Sequence, residues 1–169
     1  LASSMAIERV AVIGAGTMGA GIAQVCAQAG WKTALFDAFP DGLERGMQRI
    51  DAFWNKGIAR GKTTAEQKEA WAANLRAESD MQTAVQDADL VIEAVPEIPE
   101  LKASIFEQLD AIAPSHAILG TNTSSLSIAS IANATNRGDK VIGMHFFNPV
   151  PIMELLELVR HDGTSEETI

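Results

Sequence analysis

The chain has 169 residues, 47% of them hydrophobic, which excludes a disordered protein and provides enough apolar material for the core of one domain. Its 13 lysines and arginines against 22 aspartates and glutamates give a formal net charge of −9, which argues against binding to nucleic acid or to an anionic membrane surface. No apolar run reaches the roughly 18 residues that a membrane-spanning helix needs.

The first forty residues predict a βαβ unit. Arg9–Ile13 is a short run rich in apolar, β-branched residues, typical of a strand buried on both faces of a parallel sheet. A glycine-rich turn follows, and apolar residues then recur at helical spacing from Met18 until Gly30. Thr33–Phe36 predicts the second strand, which ends at Asp37.

Two helices are predicted next, as a hairpin inserted between strands. The first runs from Asp41 to about Arg60, with charged residues between the apolar positions of one stripe. That stripe consists of Leu43, Met47, Ile50, Trp54 and Ile58. Thr64 begins the second helix, with Glu66 and Gln67 in its first turn.

Strands and helices continue to alternate along the rest of the chain. Further strands are predicted at Leu75–Glu78, Leu90–Val95, Ile118–Thr121, Lys140–His145 and Ile152–Val159. Further helices are predicted near Met81–Val85, at Pro99–Ile112 and, capped by Ser127, around Ile128 and Ile131. The alternation predicts a Rossmann-type, doubly wound α/β domain with a mostly parallel sheet. A short connection before the last strand favours an antiparallel edge.

The domain is expected to comprise residues 7–160. Residues 1–6 are interpreted as vector-derived, and residues 161–169 as a linker toward a helical domain outside this chain. The single cysteine, Cys26, excludes an internal disulfide and lies in an apolar helical run, so we interpret it as buried filler. A chain with only one cysteine suits a reducing compartment, and we expect this protein in the cytoplasm.

Gly14-Ala-Gly-Thr-Met-Gly19 fits the dinucleotide fingerprint G-x-G-x-x-G between a predicted strand and a predicted helix. Gly14 suits the tight turn, Gly16 the close approach of a pyrophosphate and Gly19 helix–strand packing, with Thr17 and Met18 completing the cofactor-binding loop. Asp37 follows 18 residues after Gly19, where its carboxylate can accept the ribose hydroxyls and repel a 2′-phosphate. We therefore predict NAD rather than NADP. FAD is disfavoured because the chain is too short to contain a further domain that encloses the flavin.

A second group of polar residues follows later strands. Ser124 and Ser125 come just after the strand ending at Thr121, and His145 ends the strand Lys140–His145. Ligands bind at the carboxyl edge of a parallel sheet, so either serine could hold a substrate oxygen and the imidazole could act as a base. Alternatively, the serines only cap the next helix, and a lone histidine is often a packing residue.

Glutamates in the last strand are candidate partners of that histidine. Glu154 and Glu157 are three residues apart and face opposite sides of a strand, so at most one points into the same pocket. Glu157 shares its predicted face with apolar neighbours, and His145 is a candidate partner for its carboxylate. His116 and His161 are expected in loops. Because histidines and carboxylates lack metal-ligand spacing, no metal site is predicted.

Four sequence blocks occur in a fixed order. They are Val-Ile-Gly-Ala-Gly-Thr-Met-Gly-Ala-Gly-Ile-Ala-Gln, Val-Ile-Glu-Ala-Val-Pro-Glu, Asn-Thr-Ser-Ser-Leu and His-Phe-Phe-Asn-Pro-Val-Pro. Together they resemble the NAD-binding domain of the L-3-hydroxyacyl-CoA dehydrogenase family over roughly residues 7 to 159. The resemblance implies that His145 is the catalytic base, that Glu157 is its paired carboxylate and that Ser124 hydrogen-bonds the substrate oxygen.

The same resemblance implies further ligand contacts. Cofactor contacts fall on Glu97 and Lys102, and a substrate contact falls on Asn148. The helical hairpin is expected to bind coenzyme A through a basic cluster that includes Lys56 and Arg60, although a solvated helix face explains these residues equally well. The family's second, helical domain closes the cleft and carries most of a homodimer interface, and nothing in this chain matches it.

The expected activity is NAD-dependent oxidation of an L-3-hydroxyacyl-CoA to the 3-oxoacyl-CoA in fatty acid or butanoate metabolism, including β-oxidation. One alternative is a dehydrogenase of a free hydroxy acid, because relatives resembling carnitine dehydrogenase and lambda-crystallin share the glycine, Asn-Thr-Ser-Ser and His-Phe-Phe-Asn-Pro blocks. A second alternative is a module that binds NAD without catalysis.

Overall fold

In the computed structural model, which describes residues 7–122, 125–146, 156–159, 164–165 and 168–169, the strands form one sheet with helices on both faces. The described strands are β1 (Arg9–Ile13), β2 (Lys32–Phe36), β3 (Leu75–Glu78), β4 (Leu90–Glu93), β5 (Ile118–Thr121), β6 (Val141–Phe146) and β7 (Leu156–Val159). The helices are α1 (Thr17–Gln28), α2 (Pro40–Ala59), α3 (Ala65–Ala72), α4 (Met81–Val85), α5 (Pro99–Ile112) and α6 (Ser125–Ala132).

The strand order across the sheet is β3-β2-β1-β4-β5-β6-β7. Strands β1 to β6 pair in parallel, and β7 pairs antiparallel with β6. The order reverses between β1 and β4, and in doubly wound sheets this switch point is where the ligand crevice opens. The predicted α/β class, the parallel sheet and its antiparallel edge are all confirmed.

The core consists of two layers, one on each face of the sheet. Val10 and Val12 of β1 pack into the layer that contains Ile22 of α1. Their neighbours Ala11 and Ile13 pack into the other layer. This alternation follows from the period of two along a strand and explains why a strand covered on both faces is apolar throughout.

Helices α2 and α3 form the predicted hairpin between β2 and β3. The rings of Trp54 and Trp71 pack with centroids 5.8 Å apart, and the Lys68 ammonium lies 2.7 Å from the Asp51 carboxylate. Thr64 caps α3, because its hydroxyl accepts from the backbone N–H of Gln67 and the Gln67 side chain accepts from the backbone N–H of Thr64. The predicted hairpin and its second helix start are confirmed.

Cys26 is buried among the apolar side chains of α1, as predicted. Burial raises the pKa of its thiol to about 12 because the thiolate is poorly solvated there. A thiol in this state is not a nucleophile at neutral pH.

Several predicted boundaries are wrong. Strand β4 ends at Glu93 rather than Val95, because the Glu93 carboxylate accepts the Val95 backbone N–H and turns the chain. Helix α6 begins at Ser125, so Ser127 lies inside it and is not its cap. Strand β6 begins at Val141 and ends at Phe146, since residues 138–140 form a 3-10 turn. The predicted strand residues 152–155 lie outside the described residues.

Asp89 joins the amino-terminal end of β1 to the loop that contains His116. One of its carboxylate oxygens accepts the backbone N–H groups of Glu8 and Arg9, each at 3.0 Å, and the other lies 2.8 Å from His116 Nε2. Partial burial raises the pKa of this carboxyl, but the bonds from His116 and the two backbone groups outweigh it and hold the pKa below its usual range.

We expect Asp89→Asn to flatten the loss of stability in acid. A lowered folded-state pKa contributes stability above the unfolded value of about 3.9, and this contribution disappears as the pH falls through the folded value. At pH 7 the variant should be less stable than the unaltered chain by about 1–2 kcal/mol. Between pH 5 and pH 3 its free energy of unfolding should fall by less than that of the unaltered chain. Urea unfolding at each pH measures this. Asp87→Asn, at an exposed position near Arg9, is the control, and an equal effect there would contradict the assignment.

Candidate functional site

The glycine loop connects β1 to α1 at the carboxyl edge of the sheet. Gly14 donates its backbone N–H to the Phe36 carbonyl at 2.8 Å and has a φ of +108°, a conformation that side chains rarely adopt. A Cβ on Gly14 would lie 2.8 Å from the Ala94 carbonyl oxygen. The loop therefore fits between β1, β2 and β4 only with glycine at this position.

The other two fingerprint glycines meet different surroundings. A Cβ on Gly16 would have nothing within 4 Å, so this backbone faces open space. A Cβ on Gly19 would lie 1.7 Å from the Gly14 carbonyl oxygen and 3.6 Å from the Ala94 side chain. Helix–strand packing was the expected reason for Gly19, but its nearest obstacle is the loop itself.

The amino terminus of α1 is left open toward that space. Its capping residue, Gly16, supplies no side-chain hydrogen bond, and the first turn has no acidic residue. The first backbone N–H groups of a helix lack partners within the helix and carry its positive dipole end, so this terminus can bind an anion. These features fit the pyrophosphate of a dinucleotide.

Asp37 stands beside the loop at the end of β2. Its Oδ2 accepts the Ala15 N–H and its Oδ1 accepts the Phe39 N–H, each at 2.8 Å. A carboxylate has about four lone-pair positions, so each oxygen retains one for a ribose hydroxyl. The half-buried Asp37 lines a cavity of about 300 Å³. Its lining residues are Ala15, Gly16, Thr17, Asp37, Phe39, Gly42, Arg45 and Arg49.

Helix α2 supplies part of this cavity wall through residues that the sequence analysis missed. A Cβ on Gly46 would lie 2.7 Å from the Ala15 carbonyl oxygen, and one on Gly42 would lie 3.4 Å from Asp37 Cγ. Arg49 donates from Nη1 to Thr17 Oγ1 at 2.8 Å. The only signal in the sequence is spacing by three and four residues, which places on one helix face Gly42, Arg45, Gly46 and Arg49.

A buried ion pair lies at the ends of β4 and β5. Lys102 Nζ lies 3.0 Å from both carboxylate oxygens of Glu93, and the two side chains are 1% and 0% exposed. Lys102 also donates to the Asn122 carbonyl at 3.2 Å, and Thr121 donates its hydroxyl to Glu93 at 2.6 Å. Burial raises the pKa of Glu93, although Lys102 and Thr121 oppose that rise.

This network connects the predicted Glu97 and Lys102 to residues that sequence reasoning missed. The exposed Glu97 carboxylate lies 3.4 Å from Lys102 Nζ. Lys102 is therefore an internal group beside the carboxyl ends of β4 and β5, and Glu97 is the more accessible of the two. A signal for Glu93 was present, since it is a lone carboxylate at the end of the apolar run Leu-Val-Ile.

The backbone places His145 and Glu157 directly opposite each other in the β6–β7 ladder, where their Cα atoms are register partners. Two residues earlier in β6, Gly143 pairs with Thr121, which in turn pairs with Glu93. His145 thus stands at the same carboxyl edge as the buried network. The predicted Ser124 and Asn148 lie outside the described residues.

Lys56 and Arg60 are exposed at the carboxyl end of α2, one helical turn apart. Within the described ranges, histidine, cysteine and carboxylate side chains form no group of three that could hold a metal ion. No helix in this part of the chain is long and apolar enough to cross a membrane.

Comparison with protein families decides the relationship. Residues 9–169 match the family model described as the NAD binding domain of 3-hydroxyacyl-CoA dehydrogenase. The chain belongs to this family. The predicted family and its cofactor, NAD, are thereby confirmed.

Individual relatives agree with the 3-hydroxyacyl-CoA dehydrogenase family. A probable 3-hydroxybutyryl-CoA dehydrogenase of Bacillus subtilis is 43% identical over 97% of this chain and 57% of its own length. A 3-hydroxyadipyl-CoA dehydrogenase of Escherichia coli is 44% identical over 96% of the chain and 34% of its own. The crystal structure of (S)-3-hydroxybutyryl-CoA dehydrogenase from Ralstonia eutropha superposes with a TM-score of 0.92 at 39% identity, over 96% of this chain and 57% of that one. The chain thus spans between a third and three fifths of these relatives.

Proposed function

We propose that the complete enzyme oxidises an L-3-hydroxyacyl-CoA to the 3-oxoacyl-CoA in fatty acid or butanoate metabolism, including β-oxidation. The observation that carries this proposal is the register of β6 and β7, which sets His145 opposite Glu157 at the carboxyl edge of the sheet. The relatives' names support the acyl-CoA substrate.

In the proposed reaction His145 accepts the proton of the C3 hydroxyl group. An imidazole is suited to this because its usual pKa lies near neutrality. Glu157 orients the ring and stabilises the imidazolium that forms. Ser124 hydrogen-bonds the substrate oxygen and so holds C3 in place. Bound NAD supplies the acceptor for the hydride that leaves C3.

The described geometry supports a set of groups that would hold the dinucleotide. The backbone of Gly14, Gly16 and Gly19, with Thr17 and Met18, would bind the pyrophosphate at the amino terminus of α1. Asp37 would accept the adenosine ribose hydroxyls. Glu97, at the edge nearer to His145, would contact the nicotinamide half, and the buried Lys102 would hold the Glu97 carboxylate there.

The proposed coenzyme A contacts are Lys56 and Arg60 on the inserted hairpin and Asn148 after β6. The two basic residues are exposed and lie one turn apart on α2, so both can reach one phosphate-bearing ligand.

We further propose a homodimer in the cytoplasm. The single cysteine, Cys26, is free, which supports a reducing compartment, and the family resemblance supports the dimer. Sedimentation equilibrium of the complete enzyme tests the dimer.

The first test is a binding titration of this chain with NADH and with NADPH, in which fluorescence reports the binding. Micromolar NADH binding with much weaker NADPH binding is expected, because the Asp37 carboxylate opposes a 2′-phosphate. Addition of acetoacetyl-CoA should shift the NADH curve, and coenzyme A should compete for that effect. A dehydrogenase of free hydroxy acids would be insensitive to both compounds.

The catalytic assignment is tested in the complete enzyme. His145→Gln should reduce kcat for acetoacetyl-CoA reduction by roughly 100-fold or more, the usual contribution of a general acid or base. The NADH dissociation constant should stay unchanged. His116→Gln is the matched control, since His116 pairs with Asp89 at the opposite edge of the sheet. Full turnover by the His145 variant would contradict the assignment of His145 as the catalytic base.

A further inference from the structure

Two arginines line the cavity beside Asp37 and have no role in the proposed NAD contacts. Arg45 and Arg49 line it from α2, one helical turn apart. Arg49 is held at the glycine loop by its hydrogen bond to Thr17. Neither arginine forms an ion pair with a carboxylate in the part of the chain that the structure describes.

Opposite charges therefore line one small space. Asp37 supplies one negative charge, held by the backbone N–H groups of Ala15 and Phe39, and the arginines supply two positive charges. The cavity also includes the backbone of Ala15, Gly16 and Thr17, next to the ribose position that Asp37 defines. Arg45 is one helical turn nearer than Arg49 to Gly42, and Gly42 packs against Asp37.

We propose that Arg45 and Arg49 form a phosphate site for the 2′-phosphate of an adenine dinucleotide, and that Asp37 masks this site. Guanidinium groups bind phosphate through paired, charge-assisted hydrogen bonds. On this proposal the cavity does contain groups that can bind a phosphate, and the Asp37 carboxylate opposes them. The preference for NAD over NADP then comes from that carboxylate and not from a lack of phosphate-binding groups. This inference rests on the dinucleotide site of the proposed function but not on the catalytic role of His145.

The test measures dissociation constants of NADH and NADPH for this chain and its variants by fluorescence titration. Asp37→Asn removes the charge and keeps the shape, and Asp37→Ser is its smaller counterpart. In either variant NADPH should bind roughly tenfold or more tightly than in the unaltered chain, the effect of a charge-assisted hydrogen bond. Adding Arg45→Gln and Arg49→Gln should abolish that gain.

A charge-matched control separates the site from the net charge. Arg9→Gln with Lys32→Gln removes two positive charges at the amino-terminal ends of β1 and β2, the opposite edge of the sheet. The NADPH gain of the Asp37 variants should persist in this background. An equal loss in the control would overturn the proposal.

A second measurement decides the case if the Asp37 variants fold poorly. With Asp37 in place, the Arg45→Gln/Arg49→Gln chain should prefer NADH over NADPH several-fold more strongly than the unaltered chain. An unchanged ratio would overturn the proposal. If the unaltered chain bound neither dinucleotide, the nucleotide site itself would be wrong, and this result is distinct because both ligands fail together.

Discussion

Lys102→Met should destabilise the folded chain by roughly 3–5 kcal/mol, the cost of leaving a buried charge without its partner. The Glu93 carboxylate is fully buried, and Lys102 is the cation that contacts both of its oxygens. Urea unfolding followed by circular dichroism measures the loss. Glu93→Gln combined with Lys102→Met should recover most of it, because a neutral pair has no uncompensated charge.

The loss should also depend on pH. Burial already raises the pKa of Glu93, and without Lys102 it rises further. For a raised folded-state pKa, stability is fully present below the unfolded value of about 4.3 and is lost as the pH rises through the folded value. The Lys102→Met deficit should therefore be smallest near pH 4 and grow toward neutrality.

A surface lysine provides the control for this variant. Lys68→Met removes a partly exposed ion pair with Asp51 on the hairpin, and such pairs contribute about 1 kcal/mol or less. Equal destabilisation of the two variants, or no recovery in the Glu93/Lys102 double variant, would contradict the role of the buried pair.

Gly19→Ala and Gly16→Ala should separate folding from nucleotide binding. A methyl group at Gly19 collides with the Gly14 carbonyl, so the loop or α1 must move, and we expect a loss of about 3 kcal/mol, the upper range for overpacking. A methyl group at Gly16 meets no protein atom within 4 Å, and its backbone, at φ −69°, suits alanine. Gly16→Ala should therefore keep its Tm while it blocks the approach of the pyrophosphate.

The measurements are the Tm by circular dichroism and the NADH dissociation constant by fluorescence. Gly16→Ala should weaken NADH binding roughly tenfold or more, as expected when a charge-assisted hydrogen bond is lost. Gly19→Ala should lower both the Tm and the affinity. A Gly16 variant that bound NADH normally would show that the pyrophosphate does not approach this backbone.

Much of the fold was predictable because its local signals agree with its tertiary structure. Strands β1 and β5 are mostly apolar and short, and both have the predicted bounds. Helix α5 likewise starts at Pro99 and ends at Ile112, as predicted. The end of β4 was predicted wrongly because a carboxylate on the strand bonds the backbone two residues beyond it, a contact that the apolar pattern does not reveal.

The site was predictable only where it is local in sequence. The glycine loop and Asp37 belong to one βαβ unit, so their spacing is visible in the chain. The role of Gly46 is defined by its contact with Ala15, 31 positions earlier in the sequence. The bond from Thr121 to Glu93 likewise joins residues 28 positions apart. No sequence pattern marks such pairs, because only the tertiary structure brings them together.

The tryptophans restrict what an optical experiment on this protein reports. All three, Trp31, Trp54 and Trp71, belong to or pack against the core layer that contains α1 and α2. The layer formed with α5 and α6 contains none of them. Intrinsic fluorescence therefore follows one half of the molecule, and loosening around Lys102 would be silent in it. A difference between the fluorescence and circular dichroism melting curves would reveal that the two halves unfold separately.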